Sequence, residues 1–482
     1  MDKELGKQKW WIAGILLLSG IIHSQVLRIW MYQRDDSSVM AKSYLNQLTI
    51  EPFFRPLEHL LVILNHSLFG VEQSWFVHAC ILFAFAIIAI SIYRLYIKLF
   101  PEASKTFATM AVLLFVSRPQ NTSALIDVDV TSQILSIMFS LLFVLYLLNK
   151  DEINTTKSYF LGLLISLLAL LSKESSFGII LMSPLIIMYN NKQKMKSLLI
   201  NYSIVILAII IYYLLNSLVI GEWVSANNKF YRQGTYSSGS PFDVFKNAAM
   251  LLAGVFYNGS TLDIFPHIKN AKLIFGSFMT LFMGGFLILS GISLVSNKAN
   301  SRFNRSVITL LLLFISGMIP MVFLQDVSEL YTIMMSGFMS IIVISMMEYY
   351  LRNKNIWWKR IILLWLIATS LWGYSGIHQK ISLAIAGSNH TRVVYNNLKE
   401  QINNNEDNIS IYIPKHKDES LYSVYYRHKY EPIMTALELY AAVYNKEYSF
   451  TFDSTANKQI NYRIKDENGI EYINPDKQQI TE

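Results

Sequence analysis

Two carboxylates stand side by side at Asp35-Asp36, just after the first apolar run, and an arginine follows in the string Glu51-Pro52-Phe53-Phe54-Arg55-Pro56-Leu57. A carboxylate can accept the proton of an attacking hydroxyl, and a second one beside it raises its pKa or orients it. A guanidinium offers a planar fork that matches two phosphate oxygens. Base and phosphate clamp are the parts needed when a hydroxyl attacks and a phosphate departs. The same residues also read as a solvated acidic pair near lipid headgroups, and as an arginine paired with Glu51 or with those headgroups.

Further along, Arg118-Pro119-Gln120-Asn121-Thr122-Ser123-Ala124-Leu125-Ile126-Asp127-Val128-Asp129 sets Asp127 and Asp129 on either side of Val128. Such a pair could hold a divalent cation, Mg or Mn, on a diphosphate, because hard cations favour carboxylate oxygen. The alternative is that one of them caps the helix that follows. Lys173-Glu174 interrupts two apolar runs in LALLSKESSFGIILMSPL. Charges at that depth are costly, so they serve a function or pair with each other. Lys173 is a second candidate for the phosphate. Glu58, His59, Arg118, Glu174 and Glu329 are the accessory candidates.

The elements that position these groups are membrane spans. The chain has 482 residues, 53% of them hydrophobic and 15% charged, well below the roughly 25% charged residues of a soluble domain. Apolar runs at 10–30, 74–97, 106–117, 131–148, 158–172, 175–190, 197–220, 271–296, 306–324, 329–350 and 359–376 predict about eleven transmembrane helices, the third and fifth short. The basic start and uncleaved first run read as a signal anchor with a cytoplasmic N-terminus. Starting inside, every inner loop is basic: Arg94, Lys98 and Lys105; Lys150 and Lys157; Lys192 to Lys196; Lys298, Arg302 and Arg305; Arg352 to Arg360. The candidate residues then fall on the outer side. After Pro56 the pattern predicts an amphipathic helix along the outer interface, with Glu58, His59, Asn65 and His66 on one face and Leu57, Leu60, Leu61, Leu64 and Leu68 on the other. Residues 377–482 alternate like strands around one helical stretch and predict a small extracytoplasmic α+β domain after a transmembrane domain at 1–376. The single cysteine, Cys80, makes no internal disulfide. The net charge of +8 follows from inner-loop lysines and arginines and does not imply nucleic acid.

Four stretches together resemble the GT-C superfamily of polytopic glycosyltransferases, nearest to the protein O-mannosyltransferase branch and its tetratricopeptide-linked relatives. They are Asp35-Asp36, Phe54 to Leu57, the turn RPQNTSALIDVDVTSQIL and LLSKESSF. The resemblance covers the layout of residues 10–350 and is specific over 10–180. It implies an all-α polytopic fold with its site at the outer face, a polyprenyl- or dolichyl-phosphate sugar donor, and a catalytic acid carried onto Asp35 or Asp36. The mannosyltransferase branch works without metal, whereas its oligosaccharyltransferase cousins hold one on an acidic pair, which leaves Asp127 and Asp129 open. The chain departs from the pattern at Glu329-Leu330-Tyr331, where relatives have Glu-Arg-Tyr, at Arg118 in place of His, and at Ser123 in place of Glu. No tetratricopeptide repeats follow.

The expected function is an inverting transfer of sugar from a polyprenyl phosphate to a glycan, lipid or protein acceptor. Asp35 or Asp36 would be the base, with Arg55 and Lys173 on the phosphate. Bacterial cytoplasmic membrane is the expected location. A transporter of lipid-linked sugars and a non-catalytic partner in envelope assembly are the rival readings. A transporter calls for midplane polar groups and inverted repeats, and the sequence displays neither.

Overall fold

The computed structural model describes residues 2–31, 54–149, 156–191, 195–220, 241–256, 301–324, 329–352, 355–401, 408–412, 431–444, 447–451, 462–464 and 470–472. The helices run in the order α1 (Asp2–His23), α2 (Pro56–Phe69), α3 (Trp75–Leu99), α4 (Lys105–Val116), α5 (Pro119–Ile126), α6 (Thr131–Leu148), α7 (Thr156–Ser172) and α8 (Phe177–Asn191). They continue with α9 (Met195–Ile220), α10 (Pro241–Phe256), α11 (Ser301–Val322), α12 (Ile333–Leu351), α13 (Ile356–Gln401) and α14 (Glu431–Tyr444). Short 3₁₀ turns at Ser24–Arg28, Val128–Val130, Glu174–Ser176 and Glu329–Thr332 join several of them.

Among the described residues, six helices are long and apolar enough to cross a bilayer: Trp75–Leu99, Val128–Leu148, Met195–Val219, Arg302–Val322, Leu330–Leu351 and Ile356–Glu400. The chain is an integral membrane protein. The expected spans at 106–117 and 158–172 are the shorter apolar helices Lys105–Val116 and Thr156–Ser172. The expected span at 271–296 lies outside the described residues.

The chain groups into two compact units. The first holds Met1–Ser24, Cys80–Leu125 and Val130–Lys380; the second holds Gln25–Ala79, Ile126–Asp129 and Ile381–Glu482.

In the first unit, α12 is the central helix. It is apolar all round, which suits a helix enclosed by others, and almost every residue from Ile333 to Glu348 is buried. Its serines turn their hydroxyls back on the helix: Ser336 to the Ile333 carbonyl at 2.7 Å, Ser340 to Ser336 at 2.7 Å and Ser345 to Ile342 at 3.0 Å. At the other extreme, α9 leaves Leu199, Ile206, Ile210, Leu214 and Leu218 exposed, the surface that lipid covers. Small residues let neighbouring backbones touch, the usual device where no water drives helices together. A Cβ on Gly178 of α8 would overlap the Ser316 carbonyl oxygen and meet the Pro320 ring at 3.0 Å. Pro320 has no N–H to give that carbonyl four residues back, so the α8 backbone closes over an acceptor that α11 leaves open.

Helix α13 does not stop at residue 376. It runs on to Gln401, because Ile377, Ile381, Ala384, Ser388, Thr391, Tyr395 and Leu398 are all buried at alternating spacings of four and three. In the second unit, strands β1 (Asn408–Tyr412), β2 (Glu447–Thr451), β3 (Tyr462–Ile464) and β4 (Ile470–Tyr472) form one sheet in the order β2-β1-β3-β4. β1 pairs parallel with β2 and β3, and β3 pairs antiparallel with β4. A parallel pair needs a crossover, and α14 lies between β1 and β2 in the chain.

Replacing Gly178 with Ala forces α8 and α11 apart, and overpacking of this kind costs about 1–3 kcal/mol. Thermal unfolding of Gly178→Ala in detergent micelles should show a clear drop in Tm. Gly14→Ala, at a position where a Cβ meets nothing within 4 Å, should leave Tm unchanged.

Candidate functional site

Arg118, Lys173 and Lys380 are the buried arginine and lysine side chains among the described residues, with 1%, 8% and 3% of their surface exposed. All three belong to the first unit. The local sequence explains how each is held.

Arg118 precedes Pro119, the first residue of α5, where a missing N–H costs nothing. Its guanidinium donates to the carbonyls of Gly254, at 3.2 Å, and Val255. Those carbonyls end α10, so the cation lies where the helix dipole is negative. The Asn121 side chain donates to the last-turn carbonyl of Phe115 at 2.7 Å and accepts from Ser336 at 3.2 Å. It thus ties α4, α5 and α12 together. Ser123 of α5 accepts from the Lys380 ammonium of α13 at 3.0 Å. Lys380 and Arg118 therefore meet the ends of one short segment, about 8 Å apart along a helix axis.

Lys173 occupies the break between α7 and α8, with extended backbone. The serines of the SKESS string complete that break. Ser172 donates to Leu168 at 2.7 Å, Ser176 donates to the Lys173 carbonyl at 2.9 Å, and Ser175 donates to Gln133 at 3.4 Å. The Lys173 ammonium lies 5.4 Å from the Tyr331 ring centroid, within cation–π range. Thr332, the next residue, packs on Gly254, whose added Cβ would meet its methyl at 2.9 Å. Contacts thus run from Lys173 through the 329–332 turn and the end of α10 to Arg118.

In the second unit α2 begins at Pro56, directly after Arg55. Its two faces separate as the sequence predicts, and its polar face is the one turned inward. Glu58, His59, Val62 and Asn65 are buried, while Leu60, Leu64 and Leu68 are exposed at 46%, 41% and 63%. An inside-out helix of this kind suits lipid on its leucine side and a polar interior. Asn65 donates to the Gln73 carbonyl. Asp127 is also buried in this unit, and Asp129 is half-buried. Among the described residues no group of three or more His, Cys, Asp or Glu gathers closely enough to hold a metal ion.

The stem before Asp35 is clamped. The Trp30 N–H donates to Ser388 at 2.7 Å and its indole N–H to the Val71 carbonyl at 3.1 Å. Ser74 donates to the carbonyls of Ile29 and Trp30 at 2.9 and 2.8 Å. The Trp30 ring packs edge-on against Tyr395, 5.4 Å between centroids, with Arg392 over it at 5.4 Å. Lys399 closes the group on Glu72 at 2.6 Å. Tyr395 packs in turn on Tyr440 of α14, whose phenol is pushed up by burial and by Tyr444 and so stays neutral.

Of the residues expected from sequence, Lys173, Glu174 and Arg118 lie in the first unit, and Arg55, Glu58, His59, Asp127 and Asp129 in the second. Asp35 and Asp36 lie outside the described residues. Glu329 opens the 329–332 turn. Lys380 was not among the candidates; its signal is a lysine on the buried stripe of α13, next to Ile377, Ile381 and Ala384.

No protein-family model matches the chain, and none of the curated proteins matches it. By structure it is similar to ArnT from Cupriavidus metallidurans bound to undecaprenyl phosphate, at 9% identity and TM-score 0.54, over 91% of this chain and 85% of that one. ArnT from the same organism in the apo state aligns at 8% identity and TM-score 0.53, over 93% and 87% of the two chains. The chain shares the fold of these ArnT structures. The oligosaccharyltransferase of Archaeoglobus fulgidus in complex with zinc and sulfate aligns at 11% identity and TM-score 0.44, over 90% of this chain and 62% of that one.

Trp30→Phe removes the indole donor and leaves the Val71 carbonyl short of a partner, a loss of about 1–2 kcal/mol. Ser388→Ala leaves the Trp30 N–H in the same position and should cost a similar amount. Unfolding of both variants, read by tryptophan fluorescence for Ser388→Ala and by circular dichroism for both, checks this.

Proposed function

We propose that the chain is an integral-membrane glycosyltransferase that moves a sugar from a polyprenyl-phosphate carrier to an acceptor hydroxyl at the outer membrane face, with inversion at the sugar carbon. The burial of Arg118, Lys173 and Lys380 in the membrane-embedded unit supports this most directly. A cation removed from water costs several kcal/mol, and charged groups at membrane depth mark functional positions by default. The GT-C-type fold and the undecaprenyl phosphate named with ArnT point to a lipid phosphate as that charge.

In the reaction the acceptor oxygen bonds to the anomeric carbon as the bond from that carbon to the phosphate oxygen breaks. Negative charge grows on the departing phosphate, and groups that meet growing charge lower the barrier most. Lys173 and Lys380 supply ammonium donors, and Arg55 a guanidinium. Arg118, committed to the end of α10, holds α5 in place and adds its charge. Lys380 makes up for the arginine absent from Glu329-Leu330-Tyr331. Asp35 or Asp36 takes the acceptor proton. Should a divalent cation take part, Asp127 and Asp129 are the residues to hold it, and it would neutralise phosphate oxygens. The likeness to the mannosyltransferase branch makes a mannosyl donor the first to test. The acceptor is a glycan, lipid or protein.

Purified protein in lipid, given radiolabelled polyprenyl-phosphate sugars and candidate acceptors, should release free polyprenyl phosphate. Asp35→Asn or Asp36→Asn should abolish release at unchanged donor binding, a loss of about 10²–10⁴-fold for a general base. Donor binding without release across the acceptor panel would point to the transporter or partner reading instead.

Lys380→Met separates a phosphate ligand from a structural lysine. It removes a buried ammonium and its bond to Ser123, and donor affinity and turnover per folded molecule should fall whatever the change in Tm. A fall in Tm with activity per folded molecule intact would count against the assignment.

A further inference from the structure

The first unit has a pocket at the opposite end of α11 and α12 from the buried cations. Its volume is about 90 Å³, and it opens to the surroundings. The 19 residues of α12 separate the two ends, about 28 Å at 1.5 Å per residue, which is the depth of a bilayer core. The pocket lies where α3 ends, α4 and α11 begin and α12 ends. Phe100, Phe303 and Tyr349 wall it, and Glu102, Arg302, Arg352 and Glu348 supply its charge.

These charges are of two kinds. Glu348 is buried and fixed, accepting from the Tyr96 hydroxyl at 2.9 Å and from the Ser104 N–H at 2.7 Å. It locks α3, the start of α4 and α12 together. Glu102 and Arg352 are exposed and meet at only 3.4 Å, an ion pair of little worth that a ligand can exchange. Arg302 is exposed as well. The lining is therefore neutral in sum, with two guanidiniums, two carboxylates and an aromatic wall. A lone anion would leave it one charge out of balance; a ligand carrying both a phosphate and an ammonium would not.

A second observation speaks for a lipid. Ile308, Leu311, Leu312, Ile315 and Ile319 of α11 are all about 40% exposed and lie at helical spacing. They form an apolar stripe on α11, about a third of a turn round the helix from Arg302, and it gives the acyl chains of a lipid held at the pocket a surface to lie on.

We propose that this pocket binds the headgroup of an ethanolamine-type phospholipid from the leaflet opposite the transfer site, the leaflet that the basic loops assign to the cytoplasm. The phosphate meets Arg302 and Arg352, and the primary ammonium donates to Glu102 and lies against Tyr349. A quaternary choline headgroup has no N–H to donate, and a glycerol headgroup has no cation. The inference is independent of the sugar-transfer reading.

The full chain, stripped of lipid in detergent, is titrated by native mass spectrometry with short-chain phosphatidylethanolamine, phosphatidylcholine and phosphatidylglycerol. One ethanolamine lipid should be retained about tenfold more tightly than either of the others, the value of one charge-assisted hydrogen bond. Glu102→Gln, at an exposed position, should erase that preference, Arg302→Gln should weaken retention of all three lipids together, and the exposed Lys157→Gln should change neither. Equal retention of the three lipids, strongest retention of the glycerol lipid, a preference unmoved by Glu102→Gln, or retention unmoved by Arg302→Gln would overturn the proposal. So would free phosphoethanolamine displacing the lipid at equal concentration, since the site would then belong to a soluble zwitterion.

Discussion

A polar group carried into a bilayer finds no water, so its partner must come from the protein itself. That constraint governs the packing here. Asn247 of α10 donates to the carbonyls of Val322 and Leu324 at 3.1 and 2.6 Å, closing the end of α11. His23 of α1 meets the Val116 carbonyl at the end of α4 at 3.1 Å, edge-on to Phe85. Arg118 does the same for α10, and Asn121 for α4. In each case a side chain from one helix completes the terminal carbonyls of another. Helix ends, where backbone groups are left over, become the joints of the unit.

Those joints surround the groups with chemical potential. The breaks at 117–118, 173 and 329–332 are places where backbone leaves the helical path, and each carries or adjoins a candidate residue. Non-helical backbone at membrane depth is tolerated only where protein or a cavity receives it. Of the buried charged groups, Arg118, Lys173, Lys380 and Glu348 belong to the first unit, and Glu58 and Asp127 belong to the second.

Much of this was legible in the sequence because apolar runs and punctuation are local signals. The run at 74–97, the helix start at Pro119 and the two faces of α2 follow from hydropathy and from the chemistry of proline. The length of α13 was missed because its second half is polar enough to resemble a loop, although its four-three spacing persists to Leu398. Lys380 was hidden for the same reason. The grouping of residues 25–79 with 381–482 depends on contacts such as Trp30 with Ser388, which no local pattern encodes. The close approach at Gly178 was equally silent, because one glycine in an apolar run does not say what backbone it meets.

The contact between Gly178 and the open carbonyl of Ser316 also limits how the molecule can move. A slide of α8 along α11 by one helical turn, about 5.4 Å, would bring the side chain of Leu181 or Met182 towards the spot that only a bare Cα fits. Rotation about either axis meets the same obstacle, and the Pro320 ring blocks the other side. The two helices behave as a keyed shaft, fixed in depth and in angle. Any passage that opens sideways for a long-tailed ligand must therefore be made by other helices, with this pair as the fixed frame against which they swing.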